Sequence, residues 1–175
     1  VKKAGGVLVR IFTRVLDFLE KILRIATSCL FVVMVASIAY QIVLRYIFSK
    51  ANAWSEELAR YAFVWLVMLA ASLGARCGRH MCIDFIVDKL PIPQKTFITF
   101  GTRLLAIFFF IILGWKGAEL LSFTMNQNST GLEISMAFIY LAIPVGAFFM
   151  ILFSVEDILL RLAGGSLPAA SKEAV

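Results

Sequence analysis

The sequence is poor in the residues from which reactive centres are built. It holds one histidine, His80, and three cysteines, Cys29, Cys77 and Cys82. One histidine cannot supply both axial ligands of a transmembrane haem. A structural zinc site takes four ligands, and Cys77, His80 and Cys82 have no fourth beside them and match no zinc spacing. No nucleophile stands in a recognisable pattern with a base, and no glycine-rich loop is placed to cradle phosphate. Charge is also sparse: Asp, Glu, Lys and Arg make up 16% of the 175 residues, too little to cover a soluble domain of this length. These shortages argue against an enzyme, a metal centre or a cofactor. The net charge of +6 is scattered between apolar runs instead of forming a dense patch, which argues against nucleic acid.

What is abundant is apolar. Hydrophobic residues make up 61% of the chain, 16 of them phenylalanine, and the mean hydropathy is +0.91. A helix needs about 20 predominantly apolar residues to cross a hydrocarbon core of roughly 30 Å. Four runs meet or approach that length: 25–44, uncharged; 58–75, with Arg60 at its entry; 97–115, interrupted by Arg103; and 136–155, with Pro144 near its middle. Backbone groups in lipid must be satisfied internally, and the runs lack the alternation of barrel strands, so they predict helices. The first run is too long and begins too late for a cleaved leader, and no small-residue cleavage site follows it. The expected fold is all-α, an integral membrane protein with four transmembrane helices plus an N-terminal amphipathic interfacial helix. The expected divisions are a cytoplasmic arm over 1–24, a four-helix membrane domain over 25–160 and a cytoplasmic tail over 161–175.

In the arm, Arg10, Thr13, Arg14, Asp17, Glu20, Lys21 and Arg24 recur at spacings of three and four, which gathers them on one stripe of a helix otherwise covered by Leu, Ile, Val and Phe. The pattern predicts a helix lying along the membrane interface, its basic residues Arg10 and Arg14 toward anionic headgroups. The alternative is a plain extension of the first span.

Twelve of the lysines and arginines fall in the arm, the 76–95 loop and the tail, against three, Arg45, Lys50 and Lys116, in the other two loops. Positive-inside reasoning therefore places both termini in the cytoplasm. Arg103 lies about six residues into the third run. Its long stem can snorkel to the cytoplasmic boundary, or it can pair with an acid such as Asp84. No Asp or Glu lies deep in a run and no internal repeat is evident, so the chain lacks the parts of a complete ion-coupled carrier. A partner is implied; the alternative is a stand-alone four-helix membrane carrier or channel acting as a homo-oligomer.

The entry to the second run reads Trp54-Ser55-Glu56-Glu57-Leu58-Ala59-Arg60-Tyr61. Ser55 is a plausible N-cap, the two acids suit the helix dipole, and Glu56 stands four residues before Arg60 in the favourable order for an ion pair. Glu57, Tyr61 and Trp65 share a face. A well-capped helix with an interfacial tryptophan accounts for part of this; a contact with another protein accounts for the two acids, Arg60 and Tyr61 together. The loop 116–135, with Glu119, Asn126-Gln127-Asn128-Ser129-Thr130-Gly131 and Glu133, is rich in turn formers. It reads either as a solvated connector or, with Lys50 and Trp54, as a docking surface.

These residues also carry a resemblance. Trp54-x-Glu56-Glu57-x-x-Arg60-Tyr61, the aromatic run Phe63-Val64-Trp65, then Gly74, Arg76, His80 and Asp84, and later Tyr140-x-x-x-Pro144-Val145-Gly146, resemble the small, DctQ-type membrane subunit of tripartite ATP-independent periplasmic (TRAP) transporters, over roughly residues 25–160. Met81-Cys82-Ile83 and Ser135 depart from the family's usual residues without removing a charged motif position. The resemblance implies a scaffold subunit beside a large, elevator-type membrane subunit that holds the substrate and sodium sites. It further implies a periplasmic substrate-binding protein that delivers an organic acid such as a dicarboxylate or a sialic acid. On that footing this chain itself binds no substrate. Trp54, Glu56, Glu57, Arg60, Tyr61, Trp65, Arg76, His80 and Asp84 are the expected contacts to the large subunit. Lys50, Glu119 and Glu133 are expected to dock the binding protein, and Arg10, Arg14 and Arg76 to meet membrane lipid headgroups.

Overall fold

The computed structural model describes residues 2–50, 52–76 and 92–162, with side chains over 12–50, 52–76 and 100–160. Its elements are α1 (Lys2–Tyr46), α2 (Ala53–Arg76), α3 (Ile92–Thr124), the single turn α4 (Ala137–Tyr140) and α5 (Ala142–Leu162). Among the described residues, four stretches are long and apolar enough to cross a membrane: Phe12–Tyr46, Ala53–Arg76, Phe100–Thr124 and Ala137–Leu160. The gap between α4 and α5 is Leu141, whose own backbone stays helical (φ −56°, ψ −26°). Pro144 has no N–H to offer the Tyr140 carbonyl four residues back, so the ladder skips one rung there.

Inside lipid every hydroxyl needs a partner, and the helices supply it locally. Thr27, Ser37 and Ser154 donate to the carbonyls of Leu23, Val33 and Met150, each four residues back. Ser72 donates to Leu69 three residues back. These residues are therefore compatible with membrane helices despite their polarity.

The helices stand in a row, in the order α1, α2, α5, α3. Among the described residues α3 packs on α5 and α4 alone, while α1 packs mainly on α2. The inner contacts are close because small residues line them. A Cβ on Gly146 of α5 would stand 2.8 Å from the Met68 Cβ of α2. On its other side α5 sets fully buried Ala147 against Gly114 of α3. One apolar core forms where Leu16 and Leu23 of α1, Leu69 of α2 and Phe153 of α5 meet. The outer surfaces of α1 and α3 remain apolar and exposed, with Phe31, Val32, Leu105, Phe108 and Trp115 among them.

Three boundaries differ from the sequence expectation. The arm and the first span are one uninterrupted helix of 45 residues, about 67 Å long at 1.5 Å per residue. No proline or glycine pair falls near residue 25 to break it, and Leu16 and Leu23 pack on the rest of the chain, so the extension has its own core. The third helix runs past Trp115 to Thr124, because loss of hydropathy at Lys116 ends an apolar run without ending a helix. The connector therefore shrinks to residues 125–136, and Glu119 sits on α3. Ser55 is not a cap: α2 already begins at Ala53, and Ser55, fully buried, donates to the Asn52 carbonyl at 3.4 Å. α1 closes with Lys50 N–H donating to the Leu44 carbonyl at 3.1 Å around Ser49, which holds φ 52°. That is a 6→1 helix stop with serine where glycine is common.

Candidate functional site

Polar side chains concentrate at the two ends of the row. One end carries the arm and the C-termini of α2 and α5, and is called here the arm end. The other carries the α1–α2 and α3–α4 connections, and is called the turn end.

At the arm end Arg76, the last residue of α2, is 3% exposed. Its Nε donates to Glu156 Oε2 at 2.9 Å and Nη2 to Glu156 Oε1 at 3.0 Å, a two-pronged grip on α5. Nη1 donates to the Leu16 carbonyl at 3.1 Å and to the Glu20 carboxylate, and Nη2 donates also to Asp17. All five guanidinium donors are thereby used, and the planar group lies over the Phe153 ring, 5.4 Å from its centroid. Glu20 additionally accepts from Arg24, one turn on. The neighbouring acid of α5, Asp157, turns the other way and pairs with Arg103 of α3. The dipeptide Glu156-Asp157 thus joins the row crosswise: α1 and α2 through Arg76 on one side, α3 through Arg103 on the other. A buried ion pair holds well only when its remaining donors are satisfied, as they are at Arg76.

At the turn end the organising group is Glu57. Its Oε2 accepts the Ser129 hydroxyl and the N–H groups of Gly131 and Leu132, each at 3.0 Å, and its Oε1 accepts the Thr130 hydroxyl at 2.8 Å. The loop that wraps it is tied across its base: Ser129 N–H to the Ile134 carbonyl at 2.9 Å, Met136 N–H to Gln127 at 2.8 Å, and the Ser135 hydroxyl to Met125 at 3.0 Å. Gly131 lies in close approach to the carboxylate: a Cβ there would stand 2.9 Å from Glu57 Oε2 and 3.2 Å from the Ala53 carbonyl carbon. Trp65 Nε1 donates to the Phe138 carbonyl at 3.1 Å, and the Tyr61 hydroxyl lies 4.0 Å from the Met136 sulfur. Glu56 and Arg60 form the expected pair at 3.0 Å, both more than half exposed, with Gln41 reaching Glu56 at 3.4 Å. Trp54 is exposed, its ring 5.6 Å from that of Tyr40.

The expected site residues whose side chains are described are either engaged within the chain or exposed. Arg76 is buried among three carboxylates of its own chain, Asp17, Glu20 and Glu156, which with the Leu16 carbonyl take its side-chain donors. Glu57, Tyr61 and Trp65, each partly buried, contact their own chain between Ser129 and Phe138. The acids of the arm's polar stripe, Asp17 and Glu20, turn to Arg76, while Arg14 and Lys21 stay exposed beside Phe18 and Ile22. Arg103 takes Asp157 as its partner; Asp84, the acid named for it from the sequence, lies outside the described residues, as do His80 and the side chain of Arg10. Lys50, Glu119 and Glu133 are exposed at the turn end, Glu119 in a surface pair with Lys116 at 2.6 Å and Glu133 at φ 53° in the loop. Glu156 and Asp157, just past the fourth apolar run, were not singled out from the sequence. The signal was present: two arginines near one membrane boundary need counter-charges, and adjacent acids at the end of an apolar helix supply them.

Membrane-length helices in a row, with their polar side chains engaged in holding the row together, define a multi-pass membrane protein. The sequence comparisons narrow the class. Residues 34–164 match the family described as tripartite ATP-independent periplasmic transporters, DctQ component, and the chain belongs to that family. It is a transport component and not an enzyme. It is 29% identical to the sialic acid TRAP transporter small permease protein SiaQ of Vibrio cholerae, over 89% of this chain and 94% of that one. It is 36% identical to the C4-dicarboxylate TRAP transporter small permease protein DctQ of Rhodobacter capsulatus, over 55% of this chain and 44% of that one. It is also 30% identical to the sialic acid TRAP transporter permease protein SiaT of Haemophilus influenzae, over 77% of this chain but 22% of that much longer one.

Proposed function

We propose that the chain is the stationary small subunit of a TRAP transporter in a bacterial inner membrane. It would support a large elevator-type subunit in sodium-coupled, binding-protein-dependent uptake of an organic acid such as a dicarboxylate or a sialic acid. The observation that carries this reading is that the chain matches 94% of the small permease protein SiaQ but 22% of the longer permease protein SiaT. The row geometry supports it. A row in which each helix leaves broad apolar surface uncovered suits a wall set against a moving neighbour, and the buried charges at the arm end, Arg76, Glu156 and Asp157, are engaged within the chain. The exposed members of the second-helix motif, Trp54, Glu56 and Arg60, serve as the large-subunit contact. Lys50, Glu119 and Glu133 dock the binding protein, and the exposed arm residue Arg14, with Arg10, meets lipid headgroups. The arm end faces the cytoplasm.

Reconstitution tests the reading. The purified chain in liposomes transports nothing with or without a sodium gradient. Co-expressed with the large subunit and supplied with the binding protein, it restores sodium-dependent uptake of an organic acid. Transport by the chain alone overturns the proposal. Reporter fusions at Ser49 and Gln127 read external and fusions at Asp88 and Ala170 internal; an external reading at Asp88 reverses the orientation.

A further inference from the structure

We infer that Glu57 is a positioning residue: an internal anion that fills a cradle in the 125–136 loop and fixes the shape of the surface offered to the binding protein. The inference rests on the docking role proposed for that end. The cradle has the form of a carboxylate receptor, with two hydroxyls, Ser129 and Thr130, and two successive backbone N–H groups, Gly131 and Leu132, converging on one carboxylate. Its occupant comes from α2, so the loop is tied to the helix row and not only to itself. Gly131 is packed so close that any side chain would displace the carboxylate.

A connector needs no such tie. Residues 125–136 already close on themselves through the Asn128–Ser135 bridge and its flanking bonds. The Glu57 contact adds a fixed position relative to α2, and with it a fixed relation among Glu133 in the loop, Glu119 on α3 and Lys50 before α2. Ordering a loop at the moment of docking weakens association, and a loop held beforehand avoids that loss. Glu57 therefore acts through the loop without touching either partner. Oε2 accepts three donors and Oε1 one, so most of the carboxylate's acceptor capacity is spent within the chain.

The test uses the assembled transporter with Glu57→Ala and, separately, with the double substitution Ser129→Ala and Thr130→Ala, which leaves α2 untouched should the first variant assemble poorly. Hydrogen exchange of peptides covering 125–136 is measured without binding protein. Uptake is then titrated with loaded binding protein. Loop amides exchange at least about tenfold faster in Glu57→Ala, with α1 and α5 unaffected, as expected when one local closure is removed. The binding-protein concentration for half-maximal uptake rises about tenfold in Glu57→Ala and less in the double variant, an effect on association and not on the saturated rate. Unchanged loop exchange in both variants overturns the inference outright. Faster exchange with an unchanged titration also overturns it, and the charge reversals Lys50→Glu, Glu119→Lys and Glu133→Lys then show which part failed. If they raise the half-maximal concentration, docking at this end stands and only the latch is wrong; if they do not, the docking reading falls as well.

Discussion

The two ends of the helix row solve the same problem, a charge at a membrane boundary, in opposite ways. At the arm end charges answer charges: Arg76 with Asp17, Glu20 and Glu156, and Arg103 with Asp157, nearly all of them withdrawn from solvent. At the turn end a single carboxylate, Glu57, is answered by neutral hydroxyls and backbone amides, while the full ion pairs there, Glu56–Arg60 and Lys116–Glu119, lie on the surface. An unpaired buried ion is strongly destabilising, whereas an exposed pair contributes little. The arm end therefore holds the helices together, and the turn end leaves its charges available.

This difference predicts a steep gradient of mutational cost. The largest effect falls on Arg76→Ala, which strands Glu156 and leaves Glu20 and Asp17 without their shared partner. Breaking such a buried pair costs about 3–5 kcal/mol. The yield of folded chain in membranes and its thermal midpoint in detergent should fall sharply. Arg76→Lys recovers only part, since an ammonium has three donors where five are used. The amount of large subunit co-purified per inserted chain stays normal, because the defect is internal; a lowered ratio at normal insertion would return Arg76 to the subunit interface.

Next comes the Arg103–Asp157 pair, which among the described residues links charges of α5 and α3. Asp157→Ala destabilises by about 2–4 kcal/mol, somewhat less than Arg76→Ala because Arg103 can carry its long stem toward the boundary. The double-mutant cycle of Arg103→Ala with Asp157→Ala, read from thermal unfolding, returns a coupling of about 1–3 kcal/mol. Additive losses would mean that the two side chains answer other groups.

How much of this was legible in the sequence follows from the same contrast. The four spans, their order and the Glu56–Arg60 pair are local features, set by hydropathy runs and by helical spacing, and they appear in the structure. The junction at Arg76 depends on residues 56, 59 and 80 positions away in the chain, and no local pattern announces that Glu20, Asp17 and Glu156 will meet there. The turn end was half legible. Glu57 stood out as an acid needing a partner, but its partners are a run of Ser, Thr and Gly that reads as any turn. The helix boundaries missed at Ser55, Lys116 and residue 25 share one cause: hydropathy marks where lipid ends, and helices continue past it when they still have a surface to pack on.

A middle-sized effect separates packing from charge. Gly146→Ala inserts a methyl 2.8 Å from the Met68 Cβ, where α2 and α5 touch through backbone and short side chains. Overpacking of this kind costs about 1–3 kcal/mol. The loss should be independent of salt, while that of the arm-end pairs shifts with it only weakly, as buried pairs are poorly screened. A thermal midpoint of Gly146→Ala equal to the parent would show that the two helices have room to part.

The smallest effect on folding belongs to Glu56 and Arg60, and this makes it the most telling. Their pair is an exposed i,i+4 contact on a helix, worth about 0.3–0.5 kcal/mol, so neither Glu56→Ala nor Arg60→Ala should lower insertion or thermal midpoint measurably. Any larger consequence must come from outside the chain. If Trp54, Glu56 and Arg60 form the contact with the large subunit, covering the pair removes water from it, and truncating one charge leaves the other buried and unanswered. Affinity between the subunits should then fall by about 2 kcal/mol or more for each single variant, and the double variant should lose less than the sum. Dissociation of the detergent-solubilised complex, followed as a function of dilution for parent, single and double variants, measures this directly. Equal dissociation across all four proteins would leave Glu56 and Arg60 as a solvated surface pair, and would move the subunit contact from the second helix to the bare apolar faces of α1 or α3.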